Sequence, residues 1–231
     1  MICSGLRLHR ALCEYTAYMK TLQYARISVR LSCCLARHPQ EIGRLPRWLT
    51  ERSLSPMSLR TPWWPYAAVT WVAQHLPPRA RVFEYGGGGS TLWLQDQGAI
   101  VTVAEHNEAW YQQLSSALLP STKVMLRGVE PIGQIVSAAE PGFFDGYVAA
   151  ISEELTESLD LVIVDGRARV ECVRRAMPKV KFGGLLLLDD TDRERYQPAI
   201  AMLAGWERHV FQGLKPGELF PTQTSVWRRL N

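Results

Sequence analysis

From residue 61 onward, short unbroken apolar runs alternate with longer stretches whose apolar side chains recur every three or four positions. The runs Arg81–Tyr85, Ile100–Glu105, Lys123–Leu126, Leu159–Val164 and Leu185–Leu188 read as strands buried on both faces. Between them the spacing predicts helices over Trp63–Leu76, Ser90–Gln97, Asn107 to near Pro120, Tyr147–Ser158, Arg167–Phe182 and Arg193–Ala204. Thr61-Pro62 carries helix-start chemistry, Pro77-Pro78 stops the helix that follows, and Gly183-Gly184 is read as the close of another. A final pair, Glu207–Gln212 and Thr224–Arg229, joined by a long loop, reads as an antiparallel edge. The expected architecture is therefore α/β: a doubly wound, Rossmann-like, mostly parallel sheet of seven strands with an antiparallel last strand. Residues 128–145, rich in glycine and proline, are expected to loop over the site.

The first sixty residues follow a different pattern. Leu8, Leu12, Tyr15, Met19, Leu22, Ile27, Leu31 and Leu35 trace an amphipathic helix or helix pair over residues 6–37, and Pro39, Pro46 and Pro56 punctuate a linker. The chain thus divides into an extension, 1–60, and a domain, 61–231. Arg7, Arg10, Lys20, Arg26, Arg30 and Arg37 outnumber Glu14 and Glu41, the acids of the first 45 residues, so the positive excess is largely local to the extension. The helix reads as a packing or homodimerisation element, an inconsequential extension, or a membrane-surface helix.

Charge in the domain is nearly balanced, so no nucleic-acid surface is expected, and no run reaches the roughly 18 apolar residues that span a bilayer. Cys3, Cys13, Cys33, Cys34 and Cys172 have neither metal spacing nor a disulfide framework, which predicts reduced thiols and a cytoplasmic location.

Candidate chemistry centres on FEYGGGGS. A strand end delivers Glu84 to a fixed point, Gly86–Gly89 turn the backbone, and the amides opening the next helix face the crevice. A nicotinamide fingerprint needs a third glycine where Thr91 stands, and an apolar or small residue where Glu84 stands. A carboxylate at position 84 suits the cationic amino-acid end of a ligand, and Glu105, closing strand two, suits a ribose diol. With Gly86, Gly88 and Ser90, these residues resemble the cofactor site of class I S-adenosylmethionine-dependent methyltransferases, over about Thr61 to Arg229. The resemblance implies that Glu84, Gly86, Gly88, Ser90, Glu105 and the neighbouring His106 bind S-adenosylmethionine. A dinucleotide-dependent oxidoreductase and a non-catalytic assembly domain of the same fold are the alternatives.

Asp165 and Asp189-Asp190 follow strands four and five, so their carboxylates meet on one sheet edge. This pattern resembles metal-dependent O-methyltransferases, which implies Asp165, Asp189 and Asp190 as ligands of Mg²⁺, with Asp165 and Asp190 at the reaction centre. The competing reading pairs these acids with Arg167, Arg169, Arg193 and Arg195, which would also suit an acidic substrate group. No lysine is read near this site. TPWWPY (61–66) is read either as an acceptor wall or as core, and GLKPGELFPTQT (213–224) as a lid. The expected substrate is a small molecule or saccharide hydroxyl.

Overall fold

The computed structural model describes residues 24–230. Residues 1–23, with most of the expected basic helix, the homodimer contact assigned to it, Cys3 and Cys13, lie outside the described residues. Within them, α1 covers residues 24–37 and is followed by α2 (Leu45–Glu51), α3 (Pro56–Leu59) and α4 (Tyr66–His75). Nine strands then appear: β1 (Arg81–Tyr85), β2 (Ile100–Glu105), β3 (Lys123–Leu126), β4 (Val136–Ser137), β5 (Glu140–Phe143), β6 (Leu159–Val164), β7 (Val180–Asp189), β8 (Glu207–Gly213) and β9 (Thr222–Arg228). Helices α5 (Gly89–Asp96), α6 (Glu108–Ser115), α7 (Asp145–Ala149), α8 (Arg169–Ala176) and α9 (Gln197–Met202) are interspersed among them.

Seven strands form one sheet in the order β3-β2-β1-β6-β7-β9-β8. Every neighbouring pair from β3 to β7 is parallel, and β9 runs antiparallel to both β7 and β8. The order reverses between β1 and β6, because the chain first builds outward through β2 and β3 and then returns to the other side of β1. At such a point the connections diverge and leave a crevice beyond the carboxyl ends of the strands.

Strand residues point alternately to the two faces, which explains the continuous apolar runs. Val82, Val101, Val103, Leu161, Ile163, Leu185 and Leu187 pack with Trp64, Ala68, Val72, Leu92 and Leu94 on one face. Phe83, Tyr85, Val162, Val164, Leu186, Leu188 and Trp227 pack with Tyr147, Cys172, Val173, Ala176 and Ala199 on the other. Glu84 occupies a position of the first face where an apolar residue would otherwise sit. No helix among the described residues is long and apolar enough to cross a membrane. Cys33, Cys34 and Cys172 are free thiols.

Several boundaries differ from the sequence expectation for local reasons. Helix α4 starts at Tyr66 rather than Trp63, since Pro65 holds Trp64 out of the helical region. The helix read over Arg167–Phe182 stops at Ala176, followed by a 3₁₀ turn through Pro178, and Val180 already pairs with Leu159 in the sheet. Gly183-Gly184 is therefore a bulge within β7. Gly183 has φ +75°, and a Cβ on Gly184 would lie 2.9 Å from the Lys181 carbonyl and 3.0 Å from that of Leu159. Residues 128–145 contain the small hairpin β4–β5, closed by mutual hydrogen bonds of Glu130 and Phe143 (2.9 and 3.1 Å).

The segment before residue 61 packs directly on the sheet-bearing part. Glu41 is fully buried, Oε2 accepts from the Leu214 amide at 3.0 Å, and Arg44 pairs with its other oxygen. Trp48, Tyr66 and Leu214 form a small core of their own, against which Leu31 of α1 packs.

Candidate functional site

A cavity of about 580 Å³ opens at the carboxyl ends of β1, β2, β6 and β7. Gly86–Ser90, Glu105–Asn107, Trp110, Asp165–Arg167, Arg169, Asp189, Asp190, Arg193, Lys215 and Trp63 line it. Of the expected cofactor residues, Gly86, Gly88, Ser90, Glu105 and His106 reach this space. Glu84 lies beneath it.

The glycine turn is compact. Gly86 has φ +86°, and a Cβ there would come within 2.8 Å of the Gly166 Cα. On Gly87 it would strike Leu114 and Val103 at 2.6 Å, and on Gly89 the Thr61 carbonyl at 2.3 Å. These positions need glycine because backbone or core lies where the side chain would be. Trp110 donates from Nε1 to the Gly87 carbonyl at 2.6 Å and so fixes the turn from the cavity side.

Glu84 is fully buried under the turn, where the Ser90 and Thr91 hydroxyls donate to its two oxygens. Burial pushes its pKa up to about 7, against the two hydroxyls, which favour the anion; Glu105 adds to the rise. The chain thus holds a carboxyl group that ties β1 to the first turn of α5. Thr91, the residue that spoils the nicotinamide fingerprint, also accepts from the Gly88 amide at 2.9 Å.

Glu105 is placed differently. Its Oε1 accepts from the backbone amides of His106 and Asn107, each at 2.8 Å, while Oε2 has no hydrogen-bond partner among the described residues. His106 Nε2 meets Glu140 Oε2 at 3.1 Å. Its Nδ1 lies 2.9 Å from Glu105 Oε1, in a geometry that makes no hydrogen bond. Glu140, on β5, also accepts from Arg167 Nε at 2.9 Å. The hairpin is thereby attached to two residues of the cavity wall, and Arg167 holds the Glu140 carboxyl below its ordinary range.

At the other end of the cavity Asp165, Asp189 and Asp190 do converge. Arg169, itself buried, lies 2.9 Å from Asp165 Oδ1 and 3.5 Å from Asp190 Oδ2, and also donates to the Asp189 carbonyl at 2.8 Å. Arg193 pairs with Asp190 at 2.8 Å, Thr224 donates to Asp189, and Trp64 Nε1 donates to Asp165 Oδ2 at 3.3 Å. Burial, reinforced by the Asp189 charge, lifts Asp165 well above the usual carboxylate range, and burial lifts Asp190 as well.

This arrangement does not support the Mg²⁺ expectation. Arg169 pairs with one oxygen of Asp165 and, with Arg193, with one of Asp190, Thr224 donates to Asp189, and no group of three or more His, Cys, Asp and Glu among the described residues is disposed to hold a metal ion. Of the four arginines considered as counter-ions, Arg169 and Arg193 fill that role. Arg167 is taken by Glu140, and Arg195 stacks on Tyr196 at 5.1 Å.

One further residue escaped the sequence reading. Lys215, from the connection between β8 and β9, reaches the carboxylates with Nζ 3.9 Å from Asp189 Oδ2. The two tryptophans of TPWWPY take different parts: Trp64 is buried core, whereas Trp63 is 44% exposed and lines the cavity. Lys215 lies 26 positions beyond Asp189, within the loop read as a lid, and no local signal marks the lysine itself.

The sheet order and the cavity at its switch point define a doubly wound, Rossmann-like fold with a crevice at the carboxyl ends of its strands. No protein-family model matches the chain, and no curated protein matches it. Solved structures do resemble it. A methyltransferase-like protein from Silicibacter pomeroyi is 20% identical, with 74% of this chain and 92% of that chain covered and a TM-score of 0.47. The O-methyltransferase TomG from Streptomyces achromogenes, in complex with SAM, is 15% identical over 70% and 77% of the two chains, with a TM-score of 0.49. A 1,6-didemethyltoxoflavin-N1-methyltransferase from Burkholderia thailandensis is 12% identical over 90% of each, with a TM-score of 0.48. At such similarity the function has to be read from the site itself.

Proposed function

We propose that this chain is an S-adenosylmethionine-dependent methyltransferase acting on a hydroxyl of a small molecule or saccharide. The observation that carries the reading is Glu105. Its Oε1 is tied down by two amides and its Oε2 is left unengaged on the cavity wall at the end of β2, which suits a ribose diol. When bound, the cofactor supplies an electrophilic methyl group on a sulfonium. The Gly86–Gly89 turn lets that ligand approach the backbone. Glu84 supports the turn from below through Ser90 and Thr91 and is not itself a contact. Trp110 walls the cavity over Gly88, 3.5 Å from where a Cβ would stand. At the far end Asp190 takes the proton of the acceptor hydroxyl, its basicity raised by burial and by Asp189. Arg169 holds the ends of β6 and β7 together, so the carboxylates keep their positions as charge moves.

Isothermal calorimetry tests the reading directly. Heat is expected with S-adenosylhomocysteine and none with NADH. Absence of heat with S-adenosylhomocysteine overturns the proposal.

A further inference from the structure

Among the described residues, Lys215 is the one cation of the carboxylate cluster that lacks a close partner. It is 5% exposed, no described residue accepts a hydrogen bond from its Nζ, and its ion-pair contact, Asp189 Oδ2 at 3.9 Å, lies beyond hydrogen-bond reach. An ammonium has three donors to satisfy, and none of the three is taken by a described residue. The residue lines the cavity, so those donors border space that a ligand can enter. Trp63 lies beside it with the ammonium 5.2 Å from its ring centroid, and its half-exposed indole lines the same wall.

The position is built, not incidental. Glu41 holds the Leu214 amide next to Lys215, and the Tyr66 amide donates to the Leu214 carbonyl at 2.9 Å. The Gly217 amide donates to the Glu51 carbonyl at 3.1 Å. The loop that carries Lys215 is therefore clamped on both sides of the residue.

Resting on the methyl-transfer reading, we infer that Lys215 and Trp63 form the acceptor subsite, which takes a ring-bearing acceptor with an acidic, phenol-type hydroxyl. The ring lies against Trp63, and the oxygen left once Asp190 has taken the proton accepts from Lys215 Nζ. An oxygen lone pair then forms the O–CH3 bond as the S–CH3 bond breaks, and the electron pair of that bond stays on sulfur. The negative oxygen and the positive sulfonium neutralise each other, and no further proton moves in the step. The carboxylates nearby do not forbid an anion. Arg169, Arg193 and Lys215 face the three carboxylates, and once Asp190 has taken the proton only two of them carry charge, so the cluster has cation to spare.

The test uses the full chain saturated with S-adenosylhomocysteine and two probes of similar shape, 4-nitrophenolate and uncharged nitrobenzene. Wild type is expected to bind 4-nitrophenolate about tenfold more tightly than Lys215→Met. Lys215→Arg is expected to stay within about threefold of wild type, because it keeps the charge. Nitrobenzene should bind wild type and Lys215→Met alike, which separates charge from packing. An S-adenosylhomocysteine titration equal to wild type shows that each variant is folded. Equal affinity of wild type and Lys215→Met for 4-nitrophenolate, or no binding of it to wild type, overturns the subsite while leaving the cofactor reading intact. Failure of all three proteins to bind S-adenosylhomocysteine overturns both.

Discussion

At the β1–β2 end of the cavity, function rests on backbone and on residues adjacent in sequence: Gly86 to Ser90 in one turn, Glu105 to Asn107 in another. At the β6–β7 end it rests on side chains gathered from far apart, with Trp63, Asp165, Arg169, Asp189, Asp190, Arg193 and Lys215 drawn from several segments. The first end is a rigid cradle that a local motif can specify. The second is an electrostatic cluster whose members define one another's charge, so no member can be judged alone. Substitutions at the two ends should therefore fail in different ways.

The largest effect is expected at Gly86. Alanine there must adopt φ +86° and place a Cβ 2.8 Å from the Gly166 backbone, so Gly86→Ala should lose about 3 kcal/mol of stability, read from urea denaturation, and should also lose S-adenosylhomocysteine binding. A stable, binding-competent variant would mean the cradle is more plastic than its packing implies.

Glu84 gives an effect of similar size, but only over part of the pH range. Its folded pKa, about 7, lies above the ordinary value of 4.5. Below pH 4.5 both folded and unfolded states hold the proton. As pH rises toward 7 the unfolded chain releases it first, so stability falls by about 3 kcal/mol and then levels. Glu84→Gln has no such group, and the difference between the two stability-versus-pH curves isolates this contribution. Parallel curves would show that Glu84 is ionised in the folded state.

Glu105→Gln keeps the shape but weakens acceptance of ribose hydroxyls, and about a tenfold loss of S-adenosylhomocysteine affinity by calorimetry is expected. An unchanged affinity would move the cofactor away from β2. Glu140→Gln should cost less than about 1 kcal/mol, because its bonds to Arg167 and His106 are partly exposed, yet it should speed amide exchange in the β4–β5 hairpin. No change in exchange would show that the hairpin is held by its own packing.

Much of the fold was legible in the chain. Strands buried on both faces must be apolar throughout, and that requirement is visible without any tertiary information. Segments with mixed signals were misread. Val180–Phe182 looks like a helix end because Gly183-Gly184 follows, yet Pro178 had already ended the helix and the glycines form a bulge. The two-residue strand β4 and four-residue β5 carry too short a pattern to detect within a glycine- and proline-rich stretch.

The site divides along the same line. From the sequence alone, Glu84, the four glycines and Glu105 could be placed at the ends of adjacent parallel strands, because local chain geometry forces strand ends and turns to that edge. The sequence could also bring Asp165, Asp189 and Asp190 together, since parallel strands share their carboxyl ends. It could not settle what faces those acids. Whether three carboxylates hold a metal or a set of cations depends on distances of a few ångströms between groups remote in the chain. Only the tertiary structure shows Arg169 and Arg193 on the acids, Lys215 delivered by a loop that Glu41 and Tyr66 clamp, and Trp63 separated from Trp64 by the difference between a cavity wall and a core. Charge pairing in a buried site is decided by close approach, and close approach is a property of the folded chain.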